Sequence, residues 1–442
     1  MADAVLTIES LDQEGRGIGR ADGKVIFVEG ALAGEAVRYA SRRKKASYEI
    51  AEVVEVLRES ASRVVPRCPH FGVCGGCSMQ HLDAATQVAV KQRVLEDNLW
   101  HVGRLRAETM LAPIRGPAWH YRFRARLSVR YVEKKGGVLV GFHEKRSSFV
   151  ADMRECHVLP VHVSAMLVPL RGLVASLSIA KRLPQIELAI GESPSEELET
   201  VLVLRILEPL SHDDEGKLGA FAQEHRVVFW LQPKGPDSIR PLDASSPSEL
   251  HYSLPEFDVH LAFRATDFTQ VNPAINRVLV GRALRLLEIE PADRVADLFC
   301  GLGNFSLPIA RLAREVVGIE GSKAMIERAA ANARAHDLEA KTSFAVADLF
   351  EVDAAFFDAL GAFDKMLIDP PREGAIAVVN ALVACGEAAP RRIVYVSCNP
   401  STLARDAAVL AHEGGYALRE AGIVNMFPQT SHVESMAVFV RD

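Results

Sequence analysis

The rhythm of apolar and polar positions changes twice along the 442-residue chain. Over about the first 58 residues, short apolar-rich runs predict strands at Ala4–Ile8, Val25–Val28, Glu35–Tyr39 and Glu49–Val56, with Asp22-Gly23 as a tight-turn signal. Several short strands in so short a segment predict a small β-barrel of the oligonucleotide-binding kind. Farther on, Tyr121 to Arg130 alternates with period two, which as a strand places Arg122, Arg124, Arg126 and Arg130 on one face. From about residue 263 apolar strands alternate with helical segments. Arg294–Cys300, Glu315–Glu320, Thr342–Asp348, Asp364–Pro370 and Arg391–Cys398 read as strands; Asn304–Arg314, Ser322–His336 and Ser401–Leu410 read as helices. This alternation predicts a doubly wound parallel α/β sheet, whose ligands bind outside the carboxyl ends of the strands. The residues ending these strands are therefore expected on one rim. Three domains follow: a barrel over 1–58, a β-rich central domain over 59–262 and a catalytic sheet over 263–442.

A hydrophobic content of 49% is enough to build cores and excludes a disordered chain. The longest apolar stretches, such as Val163–Leu170, are far shorter than a membrane span, and the N-terminus has no basic-then-apolar signal. A soluble, cytoplasmic protein with no membrane partner is expected. The net charge of −6 argues at first against nucleic acid, but it is unevenly spread. Between His101 and Arg154, twelve Lys/Arg stand against four acids, a local +8. Arg38 to Lys45 carries five cations in eight residues, read here as a basic loop of the barrel. A stripe of guanidinium groups on a sheet suits a phosphate backbone.

Seven cysteines are too few and too uneven for a disulfide framework in a chain of this size. Cys68, Cys74 and Cys77 fall within ten residues, and Cys156 completes a set of four. Four thiolates fit either structural zinc or a [4Fe–4S] cluster. The Cys-x5-Cys-x2-Cys spacing is not that of two Cys-x2-Cys knuckles, which favours the cluster, and Gly72, Gly75 and Gly76 allow the loop to wrap closely.

On the expected rim, Val295–Cys300 runs into Gly301-Leu302-Gly303-Asn304, and Glu320 ends the next strand. With Ser306 where a third glycine would stand, this is no dinucleotide fingerprint. Asp297, Gly301-x-Gly303 and Glu320 together look like the S-adenosylmethionine site of class I methyltransferases, with Glu320 placed for the ribose hydroxyls and Asp348 for the adenine. Asp369-Pro370-Pro371 resembles the motif of amino-methyltransferases, but Arg372 stands where those enzymes carry an aromatic residue. Cys398 ends the fifth strand just before a helix, and a helix N-terminus favours a thiolate. Methylation at C5 of a pyrimidine needs such a nucleophile. Thiolate addition to C6 makes C5 electron-rich, and a base must later remove the C5 proton. A carboxylate is therefore expected near Cys398; His432 and Glu434 lie at a turn just before a terminal strand at Met436–Val440.

Cys68/Cys74/Cys77/Cys156, Asp267–Asn272, Asp297–Asn304, Asp369–Arg372, Ser397–Pro400 and His432-Val433-Glu434 together resemble the RNA uridine-5 methyltransferases along nearly the whole chain. The resemblance implies a class I, Rossmann-like, S-adenosylmethionine-dependent methyltransferase domain behind an N-terminal OB-like TRAM barrel and a β-rich iron–sulfur central domain. That arrangement belongs to the bacterial members that methylate a uridine of 23S ribosomal RNA. The resemblance further implies Cys398 as nucleophile, Glu434 as the base for the C5 proton, and S-adenosylmethionine contacts at Gln270, Phe299, Asn304, Glu320, Asp348 and Asp369. By the same resemblance Cys68, Cys74, Cys77 and Cys156 hold a [4Fe–4S] cluster that positions structure or RNA and takes no part in methyl transfer. Phe268 is the candidate for stacking on the base, Cys300 and Cys385 are packing residues, and a monomer is expected. Two other functions compete: an amino-methyltransferase acting on an exocyclic amine, and a non-catalytic iron–sulfur RNA-binding protein.

Overall fold

A computed structural model of the chain describes residues 5–193, 197–235 and 238–441. Ala4, the expected start of the first strand, lies outside the described residues. The N-terminal unit is a six-stranded sheet of β1 (Val5–Thr7), β2 (Ser10–Leu11), β3 (Gly17–Ala21), β4 (Lys24–Glu29), β5 (Ala36–Lys44) and β6 (Tyr48–Arg58) in the order β1-β5-β6-β4-β3-β2. Asp22 and Gly23 both take positive φ, the turn geometry that matches the twist of the β3–β4 hairpin. The chain through 5–11 pairs with β5 on one side and bonds to Ile18 of β3 on the other, curling the sheet around Leu6, Ile8, Ile26, Val28 and Val37.

The basic run is not a loop. Arg38, Arg42 and Lys44 lie on β5 and pair across to Glu55, Glu52 and Glu49 of β6. Three of its cations are matched by acids of the neighbouring strand, which a charge run read alone does not reveal.

The middle of the chain begins with α1 (Ala84–His101), capped by Asp83, and β7 (Thr109–Met110). It continues with β8 (Arg124–Val132), β9 (Gly137–Gly141), α2 (Val161–Ser176), β10 (Gln185–Glu192), β11 (Leu198–Arg205), α3 (His212–His225), β12 (Val228–Gln232), β13 (Arg240–Pro241), β14 (Leu250–Leu254) and β15 (Val259–Phe263). The strands from β8 onward form one largely antiparallel sheet. Ala125, Leu127 and Val129 of β8 point into its core, so Arg124, Arg126 and Arg130 do share the opposite face. Arg122 lies before the strand, its Nε donating to the Arg124 carbonyl at 3.0 Å, and does not join them. Arg126 is exposed and pairs with Glu187, whereas Arg124 is buried over the Phe263 ring.

The third sheet contains α4 (Pro273–Leu287), β16 (Arg294–Leu298), α5 (Ser306–Leu312), β17 (Glu315–Glu320), α6 (Lys323–Ala335), β18 (Thr342–Val346), α7 (Ala354–Leu360), β19 (Lys365–Ile368), α8 (Ile376–Ala384), β20 (Arg392–Ser397), α9 (Pro400–His412), β21 (Ala417–Val424) and β22 (Glu434–Val440). Its order is β18-β17-β16-β19-β20-β22-β21-β7, parallel from β18 to β20 with β22 antiparallel to β20. The order reverses between β16 and β19, which opens a crevice at their carboxyl ends. Residues 84–110 fall within the span expected to be a single central domain, yet α1 packs on α9 and β7 pairs with β21 of this sheet. Among the described residues no helix is long and apolar enough to cross a membrane.

Candidate active site

A cleft of about 810 Å³ opens at that crevice. Its walls bring together Gln270, Phe299, Glu320, Asp348, Asp369, Cys398 and Glu434, seven of the eight residues expected to bind cofactor or act on substrate. The eighth, Asn304, is not on the wall: its side chain exchanges hydrogen bonds with Asn276 and accepts from the Tyr252 hydroxyl at 2.9 Å. The half-buried Tyr252 needs a partner for its hydroxyl, and Asn304 supplies it.

The half of the cleft beside β16 and β17 holds Glu320, Gly301 and Phe299. The Glu320 carboxylate accepts from Gly301 N at 3.3 Å and Ser322 N at 3.0 Å, which fixes its direction at the strand end. Phe299, Gly301 and Gly303 all have positive φ; for Phe299 this is strained backbone, concentrated where the chain turns under the cleft. Asp348 accepts from Phe350 N at 2.9 Å, and the Phe350 ring lies 5.8 Å from that of Phe299, giving two aromatic faces at one end. Asp297 lies beneath the loop, fully buried and bonded to the Ser306 hydroxyl. Burial, opposed by that hydrogen bond and reinforced by the charges of Asp369 and Glu320, pushes it up to about 7.

Cys398 and Glu434 occupy the other half. The antiparallel register of β20 and β22 runs from Arg392↔Val440 to Ser397↔Ser435; Cys398 directly follows β20 and Glu434 opens β22, each one residue beyond that last pair. Glu434 is therefore not a turn residue in water: it is the first residue of β22, buried, and pushed up to about 8 by burial and then by Asp369, with Arg372 opposing. Asp369 is likewise raised to about 7 by burial.

The expectation of a thiolate at the helix N-terminus is reversed. Burial, followed by the charges of Glu434 and Asp369, pushes the Cys398 thiol up to about 12, and Arg372 lowers it only in part. The helix end, capped by Asn399, contributes less than the loss of water and two facing carboxylates.

The segment from Asn425 to His432 leads into Glu434, and its anchors were not evident in the sequence. Lys91 of α1, 1% exposed, donates to Asn425 Oδ1 at 2.8 Å and to the Phe427 carbonyl at 2.9 Å. The Tyr121 hydroxyl donates to the Pro428 carbonyl at 2.8 Å. Ser78 and Met79 donate their backbone N–H groups to the Gln429 carbonyl, and Ser431 N donates to Ser78 Oγ at 2.9 Å. Ser78 directly follows Cys77, so the cysteine loop and the segment leading to Glu434 are fastened together. Phe268, 71% exposed, stands on the cleft wall beside Gln270.

Cys68, Cys74, Cys77 and Cys156 line one small cavity, closed by Phe71, Phe142 and Met153. Among the described residues, no three His, Cys, Asp or Glu side chains are set to hold a single metal ion. Burial raises all four thiols, Cys77 to about 12 and Cys156 to about 11.

The profile of the tRNA (Uracil-5-)-methyltransferase family matches residues 250–442, and that of the TRAM domain matches 5–38. The chain is 64% identical to a "23S rRNA (uracil(1939)-C(5))-methyltransferase RlmD" of Burkholderia cenocepacia, over 99% of this chain and 95% of the relative. It is 62% identical to the protein of the same name from Bordetella avium, over 99% and 91%. The crystal structure of a Pyrococcus abyssi tRNA (uracil-54, C5)-methyltransferase in complex with S-adenosyl-L-homocysteine has the same fold, with a TM-score of 0.73 at 23% identity, covering 99% of this chain and all of that one. With a TRAM barrel, a methyltransferase sheet and this identity along almost its entire length, the chain belongs to the RlmD family of 23S rRNA (uracil-C5)-methyltransferases.

Proposed function

We propose that this chain transfers the methyl group of S-adenosylmethionine to C5 of a uridine in 23S ribosomal RNA through a covalent adduct between Cys398 and C6. The observation that carries this reading is that Cys398, just past the end of β20, and Glu434, the first residue of β22, line the same cleft as Glu320 and Asp348. Glu320 suits the two ribose hydroxyls of the cofactor, Asp348 the adenine amino group, and Phe299 and Phe350 the faces of the adenine. Gln270 and Asp369 line the same cleft and would face the sulfonium methyl and the base.

The chemistry follows from the pair. Cys398 Sγ, as thiolate, adds to C6, and the C5=C6 electron pair moves toward C5 and O4. C5 then attacks the sulfonium methyl, and S-adenosylhomocysteine leaves. Glu434 takes the C5 proton, the C5=C6 double bond re-forms, and the thiolate departs from C6. The cleft also explains how a thiol raised to about 12 is used: the sulfonium brings a positive charge beside Cys398, Glu434 and Asp369, stabilising their ionised forms. The base must leave its stack for both C5 and C6 to be reached, and exposed Phe268 gives it a face to stack on.

Cys68, Cys74, Cys77 and Cys156 would hold a [4Fe–4S] cluster. All four line one small cavity, and four thiolates are the ligand set such a cluster takes. Its place behind Ser78 supports a role in holding the base-bearing segment.

Nucleoside mass spectrometry of rRNA from a strain lacking this protein tests the reading. Loss of one 5-methyluridine supports it; loss of an N-methylated nucleoside with 5-methyluridine intact would favour an amino-methyltransferase.

A further inference from the structure

The reaction as derived uses Cys398 and Glu434 and leaves His432 without a task, although His432 is on the same cleft wall. Two residues apart on an extended chain, His432 and Glu434 project to the same side. Arg372 Nη2 lies 3.3 Å from His432 Nδ1. A guanidinium has only donors, so Nδ1 must accept, and in a neutral ring the proton then resides on Nε2. Arg372 is itself held in place: its carbonyl accepts from Asn399 Nδ2 at 3.1 Å and Thr402 Oγ1 at 3.2 Å. Among the described residues His432 Nε2 has no hydrogen-bond partner, and the residue is exposed at the cleft mouth.

From this geometry we infer that His432 is a catalytic residue, a neutral imidazole whose Nε2–H donates to O4 of the target uracil and stabilises the enolate formed when Cys398 adds to C6. O4 is the fitting atom for two reasons. It is bonded to C4, the neighbour of the carbon that Glu434 deprotonates, and it receives the charge that develops after addition. A fixed donor at such an atom lowers the barrier without itself having to reorganise. The charge state agrees: crowding by the protein, and then the positive charges of Arg372, Lys91 and Arg122, push His432 down to about 4, so the ring is neutral at working pH. An imidazolium would donate from both nitrogens and would be repelled by Arg372. The arrangement thus selects one tautomer and leaves its only N–H unpaired on a residue that lines the cleft.

The inference rests on the proposed methylation of uracil C5, and its test separates the two. Single-turnover methyl transfer is measured on an rRNA fragment carrying uridine, 4-thiouridine or 2-thiouridine at the target, with wild type, His432→Phe and His432→Gln. Sulfur accepts hydrogen bonds poorly, and comparing ratios between proteins cancels its intrinsic effect on the base. Wild type should prefer uridine over 4-thiouridine; His432→Phe should be about a hundredfold slower on uridine and lose that preference. His432→Gln, which keeps an N–H donor, should retain part of it, and S-adenosylhomocysteine affinity should be unchanged in both variants. The 2-thiouridine ratio should be the same in all three proteins. An unchanged 4-thiouridine preference in His432→Phe would overturn the inference, as would collapse of the 2-thiouridine ratio instead. If His432→Phe does not fold, an undiminished 4-thiouridine preference in His432→Gln does the same. Wild type that fails to methylate unmodified RNA would overturn the functional reading and the inference with it.

Discussion

Gln87 on α1 and Gln429 in the base-bearing segment hold each other at two points across 342 residues of chain: Gln429 N donates to Gln87 Oε1 at 2.9 Å, and Gln87 Nε2 donates to Gln429 Oε1 at 3.0 Å. The same Nε2 also bonds the carbonyls of Met79 and Leu82. One buried amide thus joins the helix, the cysteine loop and the segment leading to Glu434. Gln429 has a φ of +70°, a conformation that a non-glycine residue keeps only when its surroundings over-determine it. Gln87→Ala removes those partners inside the fold, and we expect it to destabilise the protein by about 1–3 kcal/mol in urea denaturation. Methyl transfer should fall while S-adenosylhomocysteine affinity stays near wild type, because the cofactor half of the cleft is built on β16 and β17. Equal losses of both would show that α1 supports the whole sheet and not this segment.

The cysteine loop should behave as part of the same clamp. Protein isolated without air is expected to contain about four iron and four sulfide per chain. Replacing Cys77 by Ala should lower both and slow methyl transfer, since Ser78 and Met79 hold the Gln429 carbonyl. One zinc per chain and no sulfide would contradict the cluster.

Much of the catalytic sheet is legible in the sequence because strand and helix periodicities there are local. Glu320, Asp348, Asp369 and Cys398 end or follow strands, and parallel topology alone carries them to one rim. The supports of the site are not local. Lys91 reads as an ordinary helix lysine, and only the partners 334 and 336 residues away explain its burial. Residues 84–110 precede the central sheet in sequence but pack on the catalytic one, so chain order misplaces them. For the Cys398 thiol the sequence points in the wrong direction, because a helix N-terminus is visible in it while the carboxylates that raise the thiol, Glu434 of β22 and Asp369, come near only in the fold.

That reversal can be measured. Alkylation proceeds through the thiolate, so with the thiol raised to about 12, Cys398 should react slowly at pH 9, where Glu434, raised to about 8, is ionised. Glu434→Gln removes the nearest opposing charge. This lowers the thiol's proton affinity, increases the thiolate fraction and should speed alkylation by about tenfold for every tenfold fall in that affinity. The rate is read on the Cys398 peptide by mass spectrometry; no change would mean that Glu434 does not face the thiol.

The pairing of Cys398 with Glu434 as nucleophile and base is tested most directly by incubating Glu434→Gln with S-adenosylmethionine and an unmodified 23S rRNA fragment, then measuring intact mass under denaturing conditions. Addition and methyl transfer precede the step that needs the carboxylate. A covalent protein–RNA species carrying one added methyl group should therefore accumulate, and it should be absent when Cys398→Ala is combined with Glu434→Gln. Absence of the species in Glu434→Gln, or its persistence without Cys398, would contradict the account.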